Sequence, residues 1–225
     1  MDWGRVGQND PRLSIPRLSI QGVARLPGGC FTAAGTWRMI GGMSPAASPP
    51  ERFPERFNLA RYCLASHAAA RPAKTALIIA GGDGEARRWS YGEIDAMVRR
   101  VARGLRDTGV PPGARLMIRT DNDLPYILAF FAAMAAGCVP LPSSASLTSE
   151  EAEFLLEDSG AAALVLSPQL GLSHAVPEGV RVLDDGDIRR LAVDGPLAGY
   201  ADTAAGDPAF LIYTSGTVGR PKGVL

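Results

Sequence analysis

The chain has few of the residues that build redox, metal or strongly charged sites. Its 225 residues include three cysteines, without a Cys-x-x-Cys pair, and two histidines. These counts argue against a disulfide framework and against a His/Cys metal cluster. Basic and acidic residues balance at 23 each, so no electrostatic case exists for binding nucleic acid or a membrane surface. We expect Cys30, Cys63 and Cys138 to be reduced thiols in a cytoplasmic protein.

Long hydrophobic runs are also absent. No apolar run reaches about 18 residues, so the sequence predicts no transmembrane helix. No apolar segment of the kind found in secretory signals precedes the main part of the chain. The hydrophobic fraction is nevertheless 46%, which is ample for a core. The length predicts one domain or at most two.

The first 52 residues differ in composition from the rest. They contain a short tandem repeat, Pro11–Ile15 and Pro16–Ile20, and no acidic residue between Asp10 and Glu51. Neither helical nor strand periodicity persists there, so residues 1–52 are predicted to be disordered or a spurious extension. The acid-poor, arginine-containing composition resembles that of an organellar transit peptide. We favour the alternative that translation starts at Met43.

From Phe53 onward the pattern alternates between helix and strand. This alternation predicts an α/β fold with a largely parallel sheet over residues 53–225. Helices are predicted at 58–70, 90–108, 124–136, 148–158 and 188–193, and strands at 75–79, 87–90, 115–119, 139–142, 163–166, 180–183 and 209–213. The helix over 124–136 is apolar nearly all round and is predicted to be buried. Its Phe130, Phe131 and Met134 are predicted to be core residues rather than a ligand pocket.

The segment from Tyr213 to Gly223 carries the clearest chemical signal. An apolar run, residues 209–213, predicts a buried strand, and a stretch with glycines, hydroxyl side chains and Lys222 follows it. Glycines allow backbone N–H groups to approach an anion, and a lysine adds a mobile positive charge. The common Gly-x4-Gly-Lys-[Ser/Thr] loop is excluded by spacing. Because Gly223–Leu225 looks like a strand, the loop is predicted to join two strands and to bind a polyphosphate.

This segment resembles the phosphate-binding loop of the adenylate-forming superfamily, which includes acyl- and aryl-CoA ligases, peptide-synthetase adenylation domains and luciferases. The family pattern is Tyr/Phe-Thr-Ser-Gly-[Ser/Thr]-Thr-Gly-x-Pro-Lys-Gly, and ten of its eleven positions fit. Val218 departs from it and removes a hydroxyl. If that hydroxyl binds phosphate, its loss would lower affinity roughly ten- to a hundredfold. The sequences at 57–62 and 155–165 resemble those of the benzoate–CoA ligase branch.

The resemblance implies a two-step reaction with ATP, Mg²⁺, a small-molecule carboxylic acid and coenzyme A. It implies that the hydroxyls of the loop and two of its backbone amides hold the phosphates, and that Lys222 is catalytic because it neutralises the leaving pyrophosphate. The implied ATP-binding residues are Thr214, Ser215, Gly216, Thr217, Gly219 and Lys222. The implied Mg²⁺ ligand lies outside this chain.

The resemblance also implies that several parts of the enzyme lie beyond Leu225. These are the adenine pocket, the acid pocket and the C-terminal domain with its catalytic lysine. We therefore expect residues 53–225 to be the N-terminal part of a large AMP-binding domain, truncated after the phosphate loop, and inactive alone as a ligase. Two alternatives stay open: an adenylation domain of a peptide synthetase, and a non-catalytic remnant.

Overall fold

The protein has two compact units, Met1–Glu51 and Arg52–Leu225. The structure, a computed structural model, describes residues 54–81, 85–214 and 221–225, together with two short strands of the first unit. These strands, β1 (Gly29–Phe31) and β2 (Trp37–Met39), pair antiparallel. They lie within residues 1–52, and the prediction that this segment is disordered or a spurious extension stays a prediction. The other residues of this segment lie outside the described part.

The second unit alternates strands and helices, as the sequence predicted. Its elements in chain order are α1 (Leu59–Ala70), β3 (Thr75–Ala80), β4 (Ala86–Ser90), α2 (Tyr91–Asp107), β5 (Arg115–Arg119), α3 (Leu124–Ala136), β6 (Val139–Pro142), α4 (Ser149–Ser159), β7 (Ala163–Leu166), β8 (Arg181–Leu183), α5 (Asp185–Val193), β9 (Ile212–Thr214) and β10 (Lys222–Val224). Along the described part of the chain, none of these helices combines the length and apolar character that a membrane span requires.

A parallel sheet with strand order β6-β5-β7-β8 forms the centre of this unit. Its central strand β5 alternates its side chains between two layers of core, because successive residues of a strand point to opposite faces. Leu116 and Ile118 pack into the core with α1, α2, α3 and α5. Met117 packs on the other face with Leu141 and the residues of α4. The predicted α/β fold with a largely parallel sheet is confirmed.

Helix α3 lies inside the larger of these two cores. Leu128 and most of the alanines of the helix are fully buried, and Phe130 and Phe131 pack against the same core. The helix ends at Gly137, which has φ +86° and therefore adopts the left-handed conformation that favours glycine. An ideal Cβ at Gly137 would lie 3.0 Å from the Cβ of Ala201. Met134 is buried as predicted, and it also lines a cavity described below.

Capping boxes define the starts of three helices. Ser90 with Glu93 begins α2, and Thr148 with Glu151 begins α4, as predicted. Asp184 with Asp187 begins α5 in the same way, three residues before the predicted start of that helix. The usual pattern has Ser or Thr followed by Glu or Gln, and the Asp–Asp version falls outside it although aspartate is a favoured N-cap residue.

The predicted buried strand at residues 209–213 is wrong in its bounds and its burial. The strand β9 begins at Ile212 and ends at Thr214, and Ile212 is 42% exposed. Leu211, which precedes the strand, is the buried residue of the run. The physical reason is that, among the described residues, β9 pairs with β10 and does not enter the central sheet.

The connection between β7 and β8 is attached to α4 through His174. Glu153 accepts a hydrogen bond from the His174 backbone N–H at 2.7 Å and contacts the His174 Nδ1 at 2.8 Å. The hydrogen bond and charge of Glu153 raise the pKa of His174, and Glu150 and Glu157 add to this effect. The hydrogen bonds from His174 lower the pKa of Glu153.

We expect the stability that this contact contributes to fall both when pH rises and when it becomes acidic. Because the His174 pKa is raised on folding, the contribution of His174 to the free energy of unfolding is complete below the unfolded pKa of about 6.5. This contribution is lost as pH rises through the folded pKa of His174. Because the Glu153 pKa is lowered on folding, the contribution of Glu153 to the free energy of unfolding is lost as pH falls through the folded pKa of this carboxyl. In an NMR titration, Glu153→Gln should lower the His174 pKa. An unchanged His174 pKa in this variant would contradict the assignment.

Candidate functional site

The predicted phosphate loop is carried by the hairpin of β9 and β10. The two strands pair antiparallel, with Thr214 opposite Lys222, Tyr213 opposite Gly223 and Ile212 opposite Val224. The prediction that the loop joins two strands, rather than a strand and a helix, is confirmed. Of the predicted site residues, Thr214 and Lys222 are described. The others, Ser215, Gly216, Thr217 and Gly219, lie outside the described residues, as does Val218.

Thr214 and Lys222 lie on the same face of the hairpin at the base of the loop. Residues directly opposite in an antiparallel pair have Cβ atoms about 4.5–5.5 Å apart. Both residues are exposed. Among the described residues, Lys222 has no ion-pair partner. The hairpin therefore presents a hydroxyl and an uncompensated ammonium group side by side, as an anion site requires.

Tyr213, the residue before Thr214, connects the hairpin to α4. Its hydroxyl donates a hydrogen bond to Asp158 Oδ2 at 2.6 Å. Burial, together with the hydrogen bond and charge of Asp158, raises the pKa of Tyr213 to about 12. The phenol is therefore protonated, and available as a donor, throughout the physiological pH range.

Close packing explains the glycine at the end of the loop pattern. An ideal Cβ at Gly223 would lie 3.1 Å from Leu211 Cδ1 and 3.3 Å from Tyr213 Cζ. Leu211 is 6% exposed, and its N–H donates to the Pro140 carbonyl on β6 at 2.9 Å. The sequence interpretation assigned no role to Gly223 or Asp158. A glycine within a strand is itself a signal of close approach, whereas nothing in the sequence pairs Asp158 with Tyr213.

A cavity of about 650 Å³ lies near the amino ends of β5 and β6. Its walls are the start of α1, the turn before β5, the end of α3 and the segment from Ala201 to Ala209. The Asn58 side chain holds two of these walls together, because its Nδ2 donates to the Met134 carbonyl at 2.8 Å and to the Ala201 carbonyl at 3.2 Å. Thr214 and Lys222 are the predicted site residues that the structure describes, and neither lines this cavity.

The described cysteines and acidic residues are not arranged for metal chemistry. Cys63 and Cys138 are free thiols, and burial raises the pKa of each. Within residues 54–81, 85–214 and 221–225, no group of three histidine, cysteine or acidic side chains is placed to hold a metal ion. A Mg²⁺ ligand supplied from outside this chain stays a prediction.

Comparison with known proteins points to one family, that of AMP-binding enzymes. The sequence profile described as "AMP-binding enzyme" matches residues 64–225. The chain is 35% identical over 135 residues to gramicidin S synthase 2 of Aneurinibacillus migulanus, covering 60% of this chain and 3% of that protein. It is 30% identical over 155 residues to 3-hydroxybenzoate–CoA ligase of Aromatoleum sp. strain CIB, covering 63% of this chain and 30% of that protein.

Solved structures support the fold. The structure superposes on a Mycobacterium tuberculosis fatty acyl CoA synthetase with a TM-score of 0.63 and 24% identity, covering 73% of this chain and 34% of that chain. The predicted α/β architecture of an adenylate-forming N-terminal domain is thereby confirmed. The chain spans less than a third of the length of the two relatives described above.

Proposed function

Because the chain belongs to the AMP-binding enzyme family, we propose that it forms the N-terminal part of an ATP-dependent acyl- or aryl-CoA ligase. The observation that carries the proposal is the hairpin of β9 and β10. Its strands place Thr214 opposite Lys222 at the two ends of a loop whose sequence fits the family's phosphate loop. The Lys222 ammonium, which has no ion-pair partner among the described residues, is the group expected to meet the polyphosphate.

The proposed reaction has two steps. A substrate carboxylate attacks the α-phosphorus of ATP, the bond to the bridging oxygen breaks, and pyrophosphate leaves as the acyl-adenylate forms. The sulfur of coenzyme A then attacks the acyl carbon, and AMP leaves with the electron pair of the broken C–O bond. Positioning and charge neutralisation dominate the first step. Bound Mg²⁺ would shield the phosphate charge.

The residues of this chain act in the first step. The hydroxyls of Thr214, Ser215 and Thr217 and the amides of Gly216 and Gly219 are proposed to hold the β- and γ-phosphates. Lys222 is proposed to stabilise the negative charge that develops on pyrophosphate as it leaves. Strand pairing sets Thr214 opposite Lys222, which supports a role for both residues at the base of the loop.

A peptide-synthetase adenylation domain is the second candidate. The 35% identity to gramicidin S synthase 2 favours it, and such a domain would transfer the acyl group to a carrier-protein thiol instead of coenzyme A. The phrases at 57–62 and 155–165 favour the CoA ligase and, within it, an aromatic acid. We propose the CoA ligase with an aromatic substrate, acting in the cytoplasm.

ATP–pyrophosphate exchange tests this choice. The assay should use the protein made from the whole reading frame that contains residues 1–225, with a panel of aromatic acids, fatty acids and amino acids. Exchange with an aromatic acid, followed by formation of its CoA thioester, is the expected result. Exchange with amino acids alone would support the synthetase. No exchange with any acid would indicate a non-catalytic protein. The 225-residue chain alone is expected not to catalyse exchange.

A further inference from the structure

The hairpin of β9 and β10 is too short to determine its own position. Each strand has three residues, and an isolated two-stranded hairpin is at best marginally stable in water. On one face, Ile212 and Val224 are 42% and 54% exposed. The positions of Thr214 and Lys222 therefore depend on the residues around the hairpin, including Tyr213 on its opposite face.

Two hydrogen bonds attach this part of the chain to the rest of the unit, in addition to the burial of Leu211 in the core on the α4 side of the sheet and the packing of Tyr213 against that core. The Leu211 N–H bonds to the Pro140 carbonyl just before β9 begins. The Tyr213 hydroxyl bonds to Asp158 from within β9, directly before Thr214. The Tyr213 ring also lies beneath Gly223 of β10, where an ideal Cβ would be 3.3 Å from Cζ. A displacement of Tyr213 would consequently affect both strands.

We infer that Asp158 is a positioning residue for the phosphate loop. By accepting the Tyr213 hydrogen bond, it fixes the hairpin, and with it Thr214 and Lys222, against the last turn of α4. Asp158 acts through Tyr213 and is not a catalytic residue. The inference rests on the proposed function only in taking ATP as the ligand of the loop.

The chemistry of the pair suits this role. A phenol that donates to a carboxylate forms a charge-assisted hydrogen bond, which is stronger than one between neutral groups. The end of α4 is itself held, because Arg115 Nη1 donates to the Ser159 carbonyl at 2.6 Å. Asparagine at position 158 could still accept one hydrogen bond, whereas alanine could accept none. Phenylalanine at position 213 would keep the ring contact with Gly223 and lose the bond.

Hydrogen exchange on the full 225-residue chain, without ligand, tests the positioning. In Asp158→Ala and in Tyr213→Phe, the amides of β9 and β10 should exchange about three- to tenfold faster, and those of β5 and β7 should not change. Asp158→Asn should give a smaller increase, and the double variant no more than either single one. Glu157→Ala, an exposed carboxylate beside Asp158, is the control. Unchanged exchange in the hairpin, or a uniform increase over the whole sheet, would overturn the inference.

Titration with Mg-ATP of the protein made from the whole reading frame that contains residues 1–225, as wild type and with the same substitutions, separates this inference from the proposed function. The variants should bind ATP about three- to tenfold more weakly than the wild-type protein. If the wild-type protein binds ATP and the variants bind it equally well, Asp158 does not position the loop. If the wild-type protein binds no ATP while the hairpin amides respond as expected, the proposed function fails and the structural link between Asp158 and the hairpin stands.

Discussion

Replacing Lys222 by alanine is expected to weaken ATP binding by roughly ten- to a hundredfold in the protein made from the whole reading frame that contains residues 1–225. The reason is that Lys222 is exposed at the base of the loop, opposite Thr214. Its ammonium also has no ion-pair partner among the described residues. Its removal takes away the positive charge that we propose meets the phosphates. Calorimetric titration with Mg-ATP measures the effect, and Lys222→Arg should retain part of the affinity because the charge remains.

The chain offers a matched control for this experiment. Its sequence contains one other lysine, Lys74, which is exposed in the turn before β3. Lys74→Ala removes the same charge from the protein and should leave the affinity for ATP unchanged. Equal affinity of Lys222→Ala and wild-type protein would contradict the assignment of Lys222. Equal losses in both variants would show that net charge alone drives binding.

Replacing Leu128 by alanine is expected to lower the free energy of unfolding by about 2–5 kcal/mol. Leu128 is fully buried in α3, between the central sheet and the neighbouring helices. Its truncation removes apolar contacts and leaves a cavity that the surrounding helices can close only in part. A loss of this size is a large fraction of the stability of a typical domain.

Urea denaturation followed by circular dichroism measures this loss. Leu197→Ala is the matched control, since the same side chain is 44% exposed at position 197. The control should change the free energy of unfolding by about 0.5 kcal/mol or less. If Leu128→Ala and Leu197→Ala had similar effects, α3 would not be the centre of the core that the structure describes.

Local patterns were sufficient to predict most of the helices. The apolar run of α3 ends at a glycine, and both predicted bounds, Leu124 and Ala136, are those of the structure. Ser90 and Thr148 marked the starts of α2 and α4, because their capping boxes use the residue types that the pattern requires. The start of α5 was missed because aspartate performs both roles there.

Features that depend on distant contacts could not be predicted from local patterns. The run at 209–213 has the composition of a buried strand, yet burial of β9 depends on which strand it pairs with. The contact between Asp158 and Tyr213 joins residues 55 positions apart, and no sequence pattern around either residue indicates its partner. The hairpin of β9 and β10 could be predicted because the segment from Tyr213 to Gly223 is continuous and has a specific residue order.

The most direct test of the account is an amide NMR titration with Mg-ATP of the protein made from the whole reading frame that contains residues 1–225. The account predicts saturable shifts for the residues from Thr214 to Lys222, and these shifts should be lost in Lys222→Ala. Absence of any saturable shift would contradict the claim that this loop binds the nucleotide. Shifts confined to the walls of the cavity, from Met134 to Val139, would place the binding site elsewhere in the protein and would equally contradict it.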